Sequence, residues 1–413
     1  MHVSRFENYG LELPFGDEVL SEAGKPVAGT SFTDIRYQAL RLPPERLLEN
    51  LKRPYEPKFS AGVWFFGAVS SRFHLPYKDE MTIEERLEVA GEMAKYGLKA
   101  VEAHYPWEIN EENIHLYKDL ERRHGVRVSA VCGIGGDFRQ RDAQFGTLSS
   151  PIKEVRDKYL QMTIRGLELA SELKALAVCW PGTDGYTYPL GTHFYDMWDR
   201  FEAAMAKAMD EVPKVRVAIE PKPYEPAINN IYRTTSDGIL MARDVEARLR
   251  NPENLELLRK GHTLVGLNPE VGHVRMGFED VAYAYARVMR EARLAHVHLN
   301  SQPLGNYDQD LNVGVVAPET VEALLFVLRL YGYTEYLGID INPERMPVQV
   351  ALVNCFNAVH LANGVIDNLD HEAVLDCYFN PHRRRGKLEN LIAMARAEGV
   401  DTEKIIPIEA VTS

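Results

Sequence analysis

The residues able to do chemistry in this chain stand at the ends of apolar runs. They are Trp64 in SAGVWFFG, His104 in AVEAHYP, Trp180 in ALAVCWP, Glu220 and Lys222 in RVAIEPKP, Glu270 in LVGLNPE, His298 in LAHVHLN and Asp340 in YLGIDINP. Each alone has an innocent explanation: a carboxylate closing a strand is usually solvated, and a lone imidazole in an apolar segment is usually a hydrogen-bonded core residue. Their conjunction is different. If the runs are strands of one closed sheet, their ends converge on a single mouth, and carboxylates gathered there repel one another unless cations hold them. The pattern predicts a divalent metal site.

Spacing refines the assignment. Glu220 and Lys222 are i and i+2, so on a strand both face the same side, and a Lys beside a carboxylate cluster supplies a fixed positive charge. Glu270 and His273, three apart in NPEVGH, place a carboxylate and an imidazole within reach of one ion. Asp308 and Asp310 in YDQDL are spaced to chelate a second cation from a loop. His296 and His298 share a face of the seventh run; His298, at the mouth, is the expected ligand, and His296 is expected to be packed behind it.

These side chains need a scaffold that brings eight strand ends together. From residue 60 onward short runs rich in Val, Ile and Leu alternate with helix-patterned segments, the signature of repeated βα units. The eight strands start near Ser60, Ala100, Arg127, Ala175, Arg216, Leu264, Leu294 and Tyr336. Thr82 and Glu85 have capping-box spacing at the start of TIEERLEVAGEMAKYG, and further helices are expected near 152–173, 195–211, 277–292 and 317–332. The fold class expected is α/β: a (β/α)8 TIM barrel over 60–366, with an N-terminal arm over 1–59 and a C-terminal helical extension over 367–413. The arm carries one short helix, PERLLENLK from Pro44. GIGGDF matches neither a dinucleotide fingerprint nor a P-loop.

Composition sets outer bounds. The chain has 413 residues with 45% hydrophobic, 26% charged and 9% aromatic side chains, which is ordinary globular usage. Its 47 Lys and Arg against 60 Asp and Glu leave a net charge of −13, the wrong sign for neutralising phosphates, so no nucleic-acid partner is expected. Cys132, Cys179, Cys355 and Cys377 form no CxxC pair, and three sit in apolar runs, which suits a reducing compartment. The N-terminus MHVSRFENYG lacks an apolar signal core, and no stretch approaches the ~18 apolar residues of a membrane span. The expectation is a cytoplasmic protein with no membrane partner.

WPGTDGY, IEPKPYEP, GLNPEVGH, HVHLN and YDQDL, in this order and at this spacing, resemble the xylose (glucose) isomerases, over about Lys58 to Asn342 and most strongly from Glu220 to Asp310. The resemblance implies two divalent ions. The first would be held by Glu220, Glu270, His298 and Asp340, and the second by Glu270, His273, Asp308 and Asp310. Lys222 would polarise the substrate's O1. His104, Lys222, Glu220 and Asp310 would form the catalytic set, and Trp64, Trp180, His104, Lys222 and Phe138 would contact the sugar. Two departures stand out. The family motif HxDLN reads HVHLN here, so His298 replaces an Asp, a change that favours Mn²⁺ or Co²⁺ over Mg²⁺. The family also follows its strand-two His with an Asp three residues later, whereas Glu108 lies four beyond His104.

The expectation is thus a metal-dependent aldose–ketose isomerase acting on a free monosaccharide through a hydride shift between C1 and C2. A ketose 3-epimerase or rhamnose isomerase type of enzyme, using proton transfer by Glu220 and Asp340, is the alternative, since those barrels resemble this chain at the strand-seven His. An apurinic endonuclease-like nuclease is disfavoured by the charge, and a non-catalytic sugar-binding barrel would not need Lys222 beside two metal sets. By the same resemblance the chain forms a homodimer or homotetramer, with Phe73 in roughly the place of an aromatic lent to a neighbouring subunit.

Overall fold

The computed structural model describes residues 42–68, 75–136, 139–343, 345–384 and 386–412, without the side chains of Arg383 and Arg384. Phe138 and Phe73 lie outside the described residues. The eight expected strands form one parallel sheet. They are β1 (Lys58–Gly62), β2 (Leu98–His104), β3 (Arg127–Cys132), β4 (Leu176–Cys179), β5 (Val217–Ile219), β6 (Val265–Leu267), β7 (His298–Leu299) and β8 (Tyr336–Ile339). Their spatial order is β6-β5-β4-β3-β2-β1-β8-β7. The sheet therefore closes where β6 meets β7, and there the contact consists of isolated bridges, Leu267 to Leu294 and Glu270 to His298. Backbone bonds from Leu267 N to Arg293 O (2.6 Å), Ala295 N to Leu267 O (2.9 Å) and His298 N to Pro269 O (3.3 Å) complete the join.

Helices cover the outside of the sheet. α1 (Pro44–Lys52) precedes β1, and α2 (Ile83–Met93) follows it with the expected capping box between Thr82 and Glu85. α3 (Ile114–His124), α4 (Lys153–Leu173) and α5 (Phe194–Glu211) follow β2, β3 and β4. α6 (Thr235–Arg248), opened by a second capping box from Thr234 to Asp237, and α7 (Pro252–Arg259) lie between β5 and β6. α8 (Val271–Met276) and α9 (Val281–Arg290) precede β7, and α10 (Pro318–Leu330), with Pro at its first position, precedes β8. α11 (Val348–Asp367) is the eighth barrel helix, and α12 (His371–Phe379) and α13 (Leu388–Ala397) belong to the extension.

Two details differ from the sequence expectation. β1 begins at Lys58, inside the span allotted to the arm, because Phe59 is needed in the core, where it stacks on Phe356 of α11 at 4.1 Å between ring centroids. α11 is also long and apolar enough, by length and composition, to cross a membrane. A run-length criterion passes over it because Asn354, Asn357, His360 and Asn363 interrupt the apolar residues. Half of its most apolar window is buried inside the fold, as a barrel helix requires.

The strands alternate as a barrel demands. Outward-facing Val101, Ala177, Val217, Ile219, Leu267, Val297 and Leu337 join the main core under the helices. Ala130, Cys132, Leu176, Val178 and Ala218 make a smaller cluster inside the barrel. Cys132, Cys179 and Cys355 are buried free thiols. Other inward positions, Ser60, Glu102, His104, Glu220, His296, His298 and Asp340, are polar, and they lead to the site.

Candidate functional site

A cavity of about 240 Å³ opens at the C-terminal ends of the strands, smaller than the ~300–1,000 Å³ pockets that take drug-sized ligands. Cys132 and Val178 line its floor, Trp64, His104 and Trp180 line its walls, and Glu220, Lys222, Glu270, His273, His298, Asp308, Asp310 and Asp340 complete it. All the described residues expected at the site thus meet in one place.

Among the described residues three groups of ligating atoms lie close together: one, Glu102 with His296 and His298, is buried beneath the cavity, and the two at the cavity share Glu270. Those of Glu220, Glu270, His298 and Asp340 lie within 4.8 Å of one another, as do those of Glu270, His273 and Asp308. In the first group His298 Nδ1 faces Glu220 Oε2 at 3.1 Å and Asp340 Oδ2 at 3.2 Å, with no hydrogen bond of good geometry. In the second, His273 Nε2 lies 3.1 Å from Glu270 Oε2 and 3.4 Å from Asp308 Oδ2. Asp310 stands in the same pocket outside these two groups. Its Oδ1 accepts from Asn300 Nδ2 at 3.0 Å, and Asn300 also donates to Glu270 Oε1 at 2.7 Å. The Asp310 backbone is left-handed, φ 48°, a conformation Asp tolerates better than most residues, and its carbonyl accepts from Asn342 N at 2.7 Å.

The electrostatics are those of an anion cage. Burial, reinforced by Asp308, Asp310, Asp340 and Glu220, pushes the Glu270 carboxyl well above the usual range. Burial together with Asp308 and Asp340 does the same to Asp310. For Asp308 burial is outweighed by Lys222 and His273, which hold it well below its ordinary value. Burial likewise opposes the Lys222 ammonium, but Asp308, Glu270 and Asp310 outweigh it and raise the lysine pKa. Lys222 Nζ donates to Asp308 Oδ2 at 2.6 Å and sits 5.1 Å from the Trp180 ring centroid. Two buried imidazoles beside four or more carboxylates, with a ring nitrogen of His298 lacking a hydrogen bond, form a donor set suited to a divalent cation.

Supporting contacts extend beyond the expected residues. Trp64 is more than a wall, since its Nε1 donates to Asp340 Oδ1 at 2.9 Å while its ring lies 4.4 Å from that of His104. Glu108 reaches His104 despite its altered spacing, with Oε2 2.9 Å from both His104 N and Nδ1. A turn after β2 makes i and i+4 neighbours there, as Glu108 N bonding to His104 O shows. Asn268 Nδ2 donates to Glu220 Oε2 at 2.7 Å. Asp184, fully buried, accepts from Thr147 N and Ser149 N, each at 2.9 Å, and ties the loop after β3 to the loop after β4 beside the cavity.

The residue that sequence reasoning missed is Glu102. It is wholly buried inside the barrel, and its carboxylate meets Ser60 Oγ at 2.6 Å, His296 Nε2 at 2.8 Å and His298 Nε2 at 2.8 Å. Burial would raise its pKa, but His296 and His298 outweigh burial and hold it well below the usual value. The available signal was parity: Glu102 is i−2 from His104 on the same strand, so it had to point inward. His296 is packed behind His298 as expected.

A barrel of eight βα units with a metal-ligating mouth defines the class, and the chain belongs to the xylose isomerase-like TIM barrel family, whose model matches residues 91–353. The xylose isomerase of Thermus thermophilus is 28% identical over 305 residues, covering 69% of this chain and 72% of that protein. The xylose isomerase of Thermus caldophilus is 27% identical over 306 residues with the same coverage. Among solved structures, a D-tagatose 3-epimerase-like protein matches with TM-score 0.51 over 69% of this chain and 91% of its own. The 3-keto-D-glucoside 4-epimerase of E. coli matches with TM-score 0.50 over 72% of this chain and 97% of its own. Both are 16% identical to this chain, a likeness of fold.

Proposed function

We propose that this protein is a divalent-metal-dependent aldose–ketose isomerase acting on a free monosaccharide. The observation that carries the reading is the pair of donor groups sharing Glu270, with the Lys222 ammonium held beside them. Bound cations would supply Lewis acidity at neighbouring sugar oxygens. His104, held by Glu108, gives a proton to the ring oxygen as the sugar opens, while the anomeric O1 hydroxyl loses its proton to water. Lys222 hydrogen-bonds O1 and stabilises the negative charge that develops there. As the C2 hydroxyl loses its proton, the C2 hydrogen moves with its electron pair to C1, C2 becomes the carbonyl carbon, and O1 takes up a proton. Asp310, in the same pocket and hydrogen-bonded by Asn300, would exchange these protons. Trp64 and Trp180 shield the reacting carbons from water and offer flat apolar faces to the ring.

His298 among the ligands favours a second reading, a 3-epimerase in which Glu220 and Asp340 exchange a carbon-bound proton on opposite faces of the sugar. A panel of aldoses and ketoses assayed with Mn²⁺, Co²⁺ and Mg²⁺ in turn separates the two. Deuterium at C2 of an aldose stays in the ketose product of a hydride shift, whereas deuterium at C3 of a ketose is lost to solvent in the proton transfer of an epimerase. Absence of turnover on every sugar with every metal would remove both readings.

A further inference from the structure

We infer that Glu102 is a positioning residue that makes His298 an effective metal ligand and supplies, from behind it, the negative charge that an imidazole lacks. The inference rests on the metal-dependent reading above. Its geometry is independent of any cation. Glu102 is completely buried, inside the barrel and one layer beneath the cavity. Oε1 takes hydrogen bonds from Ser60 Oγ (2.6 Å) and His296 Nε2 (2.8 Å), while Oε2 takes a short one from His298 Nε2 (2.8 Å) and a long one from Cys132 Sγ (3.9 Å). Glu102, His296 and His298 also lie close enough together to hold a cation, but their separations are those of hydrogen bonds, with both imidazoles donating to one carboxylate. A carboxylate accepts but cannot donate, so the Nε2 of His298 must carry a proton, and in the neutral ring Nδ1 is left with its lone pair. That nitrogen is the one facing Glu220 and Asp340.

The surroundings hold this arrangement in one register. A Cβ at Gly338 on β8 would fall 2.6 Å from Glu102 Oε1 and 2.8 Å from His296 Nε2, so the strand has no side chain where the network passes. His296 occupies the other carboxylate oxygen and stops Glu102 from rotating away from His298. The charge count follows. Glu220, Glu270 and Asp340 bring three negative charges to the first donor group, and Glu102 brings a fourth through the imidazole. A carboxylate at position 298 would carry that charge directly, and Glu102 would then face a like charge with no proton between them. Glu102 and His298 therefore form an exchangeable pair: the charge belongs at one position or the other.

The test is Mn²⁺ binding, measured without sugar by calorimetry and by the paramagnetic resonance signal of free Mn²⁺, on wild type, Glu102→Gln, His298→Asp and the double variant. Glu102→Gln is expected to weaken binding ~10–100-fold, the usual effect of losing a partner behind a metal-bound imidazole. His298→Asp alone is also expected to bind poorly, because two buried carboxylates then oppose each other. Combining the substitutions should recover most of the loss, so that Glu102→Gln harms the wild-type background and helps the His298→Asp background. If Glu102→Gln fails to fold, comparing His298→Asp with the double variant still decides. Unchanged affinity in Glu102→Gln, or losses that simply add in the double variant, would overturn the inference. A wild-type protein that binds no Mn²⁺ would instead overturn the metal-dependent reading beneath it.

Discussion

Glu270→Gln tests the centre of the site, because one side chain takes part in both donor groups. The substitution preserves shape and removes one charge. Its effect on metal binding should be at least the upper end of the ~10–100-fold seen when only an outer partner is lost, since Glu270 faces the cations directly. At a Mn²⁺ concentration ~100 times the wild-type Kd, binding stabilises the fold by about 2.7 kcal/mol; after a ~100-fold loss of affinity about 0.4 kcal/mol remains. At ~2–4 °C per kcal/mol or somewhat less for a large domain, the Mn²⁺-induced rise in Tm should shrink from several degrees to about one. The metal-free protein should behave oppositely. The Glu270 carboxyl is held well above its ordinary pKa by burial and by Asp308, Asp310 and Asp340. An acid whose folded pKa is raised favours the fold fully only below its unfolded pKa and loses that contribution as pH rises. Gln carries no such penalty, so metal-free Glu270→Gln should be at least as stable as wild type at pH 8. Differential scanning calorimetry with chelator and then with Mn²⁺ reads both effects. A variant that keeps the full Mn²⁺ increment would refute the shared-ligand argument.

Three further outcomes are expected. Lys222→Met should lower kcat by ~10²–10³, the cost of losing a preorganised donor to a developing oxyanion, while Mn²⁺ binding at Glu270, His273 and Asp308 holds or tightens; unchanged kcat would remove Lys222 from the chemistry. Glu108→Gln should reduce kcat/KM in the same direction as His104→Ala but by less, and the two losses should not add, whereas additive losses would show that the side chains act separately. Glu202, on α5 beside Asp199 and Asp244, has its pKa pushed up to about 7 by burial and by Asp244, against the pull of Arg248. It should cost the fold stability as pH rises from about 4.5 through 7, so metal-free Glu202→Gln should melt above wild type at pH 8 and with it near pH 4.5; parallel curves would contradict the shift.

Much of this site was legible in the sequence because barrel strands export their chemistry to one end. Glu220, Glu270, His298 and Asp340 come from four different strand ends or the turns just beyond them, and periodicity alone was enough to bring them together. Glu102 is not legible in this way, because a charged residue in mid-strand reads as an interruption until a partner on another strand is known. Its partners, Ser60, His296 and His298, are up to 196 positions away. The Glu108 contact depended on a turn geometry that the spacing of four left open. The limits of β7 were least legible of all. LAHVHLN reads as a full strand, yet only His298 and Leu299 form a ladder, with β8, because the neighbour on the other side meets it through single bridges.

That join has a bearing on the metal. Seven of the eight strand-to-strand contacts around the barrel are paired ladders, two of them with a register shift, and the eighth is fastened at separate points, one of which pairs Glu270 with His298. An ion gripped by these two side chains would span the break as a rivet spans a lap joint. Catalytic competence and mechanical closure of the cylinder would then depend on the same atom, and chelation would slacken the wall as well as silence the chemistry.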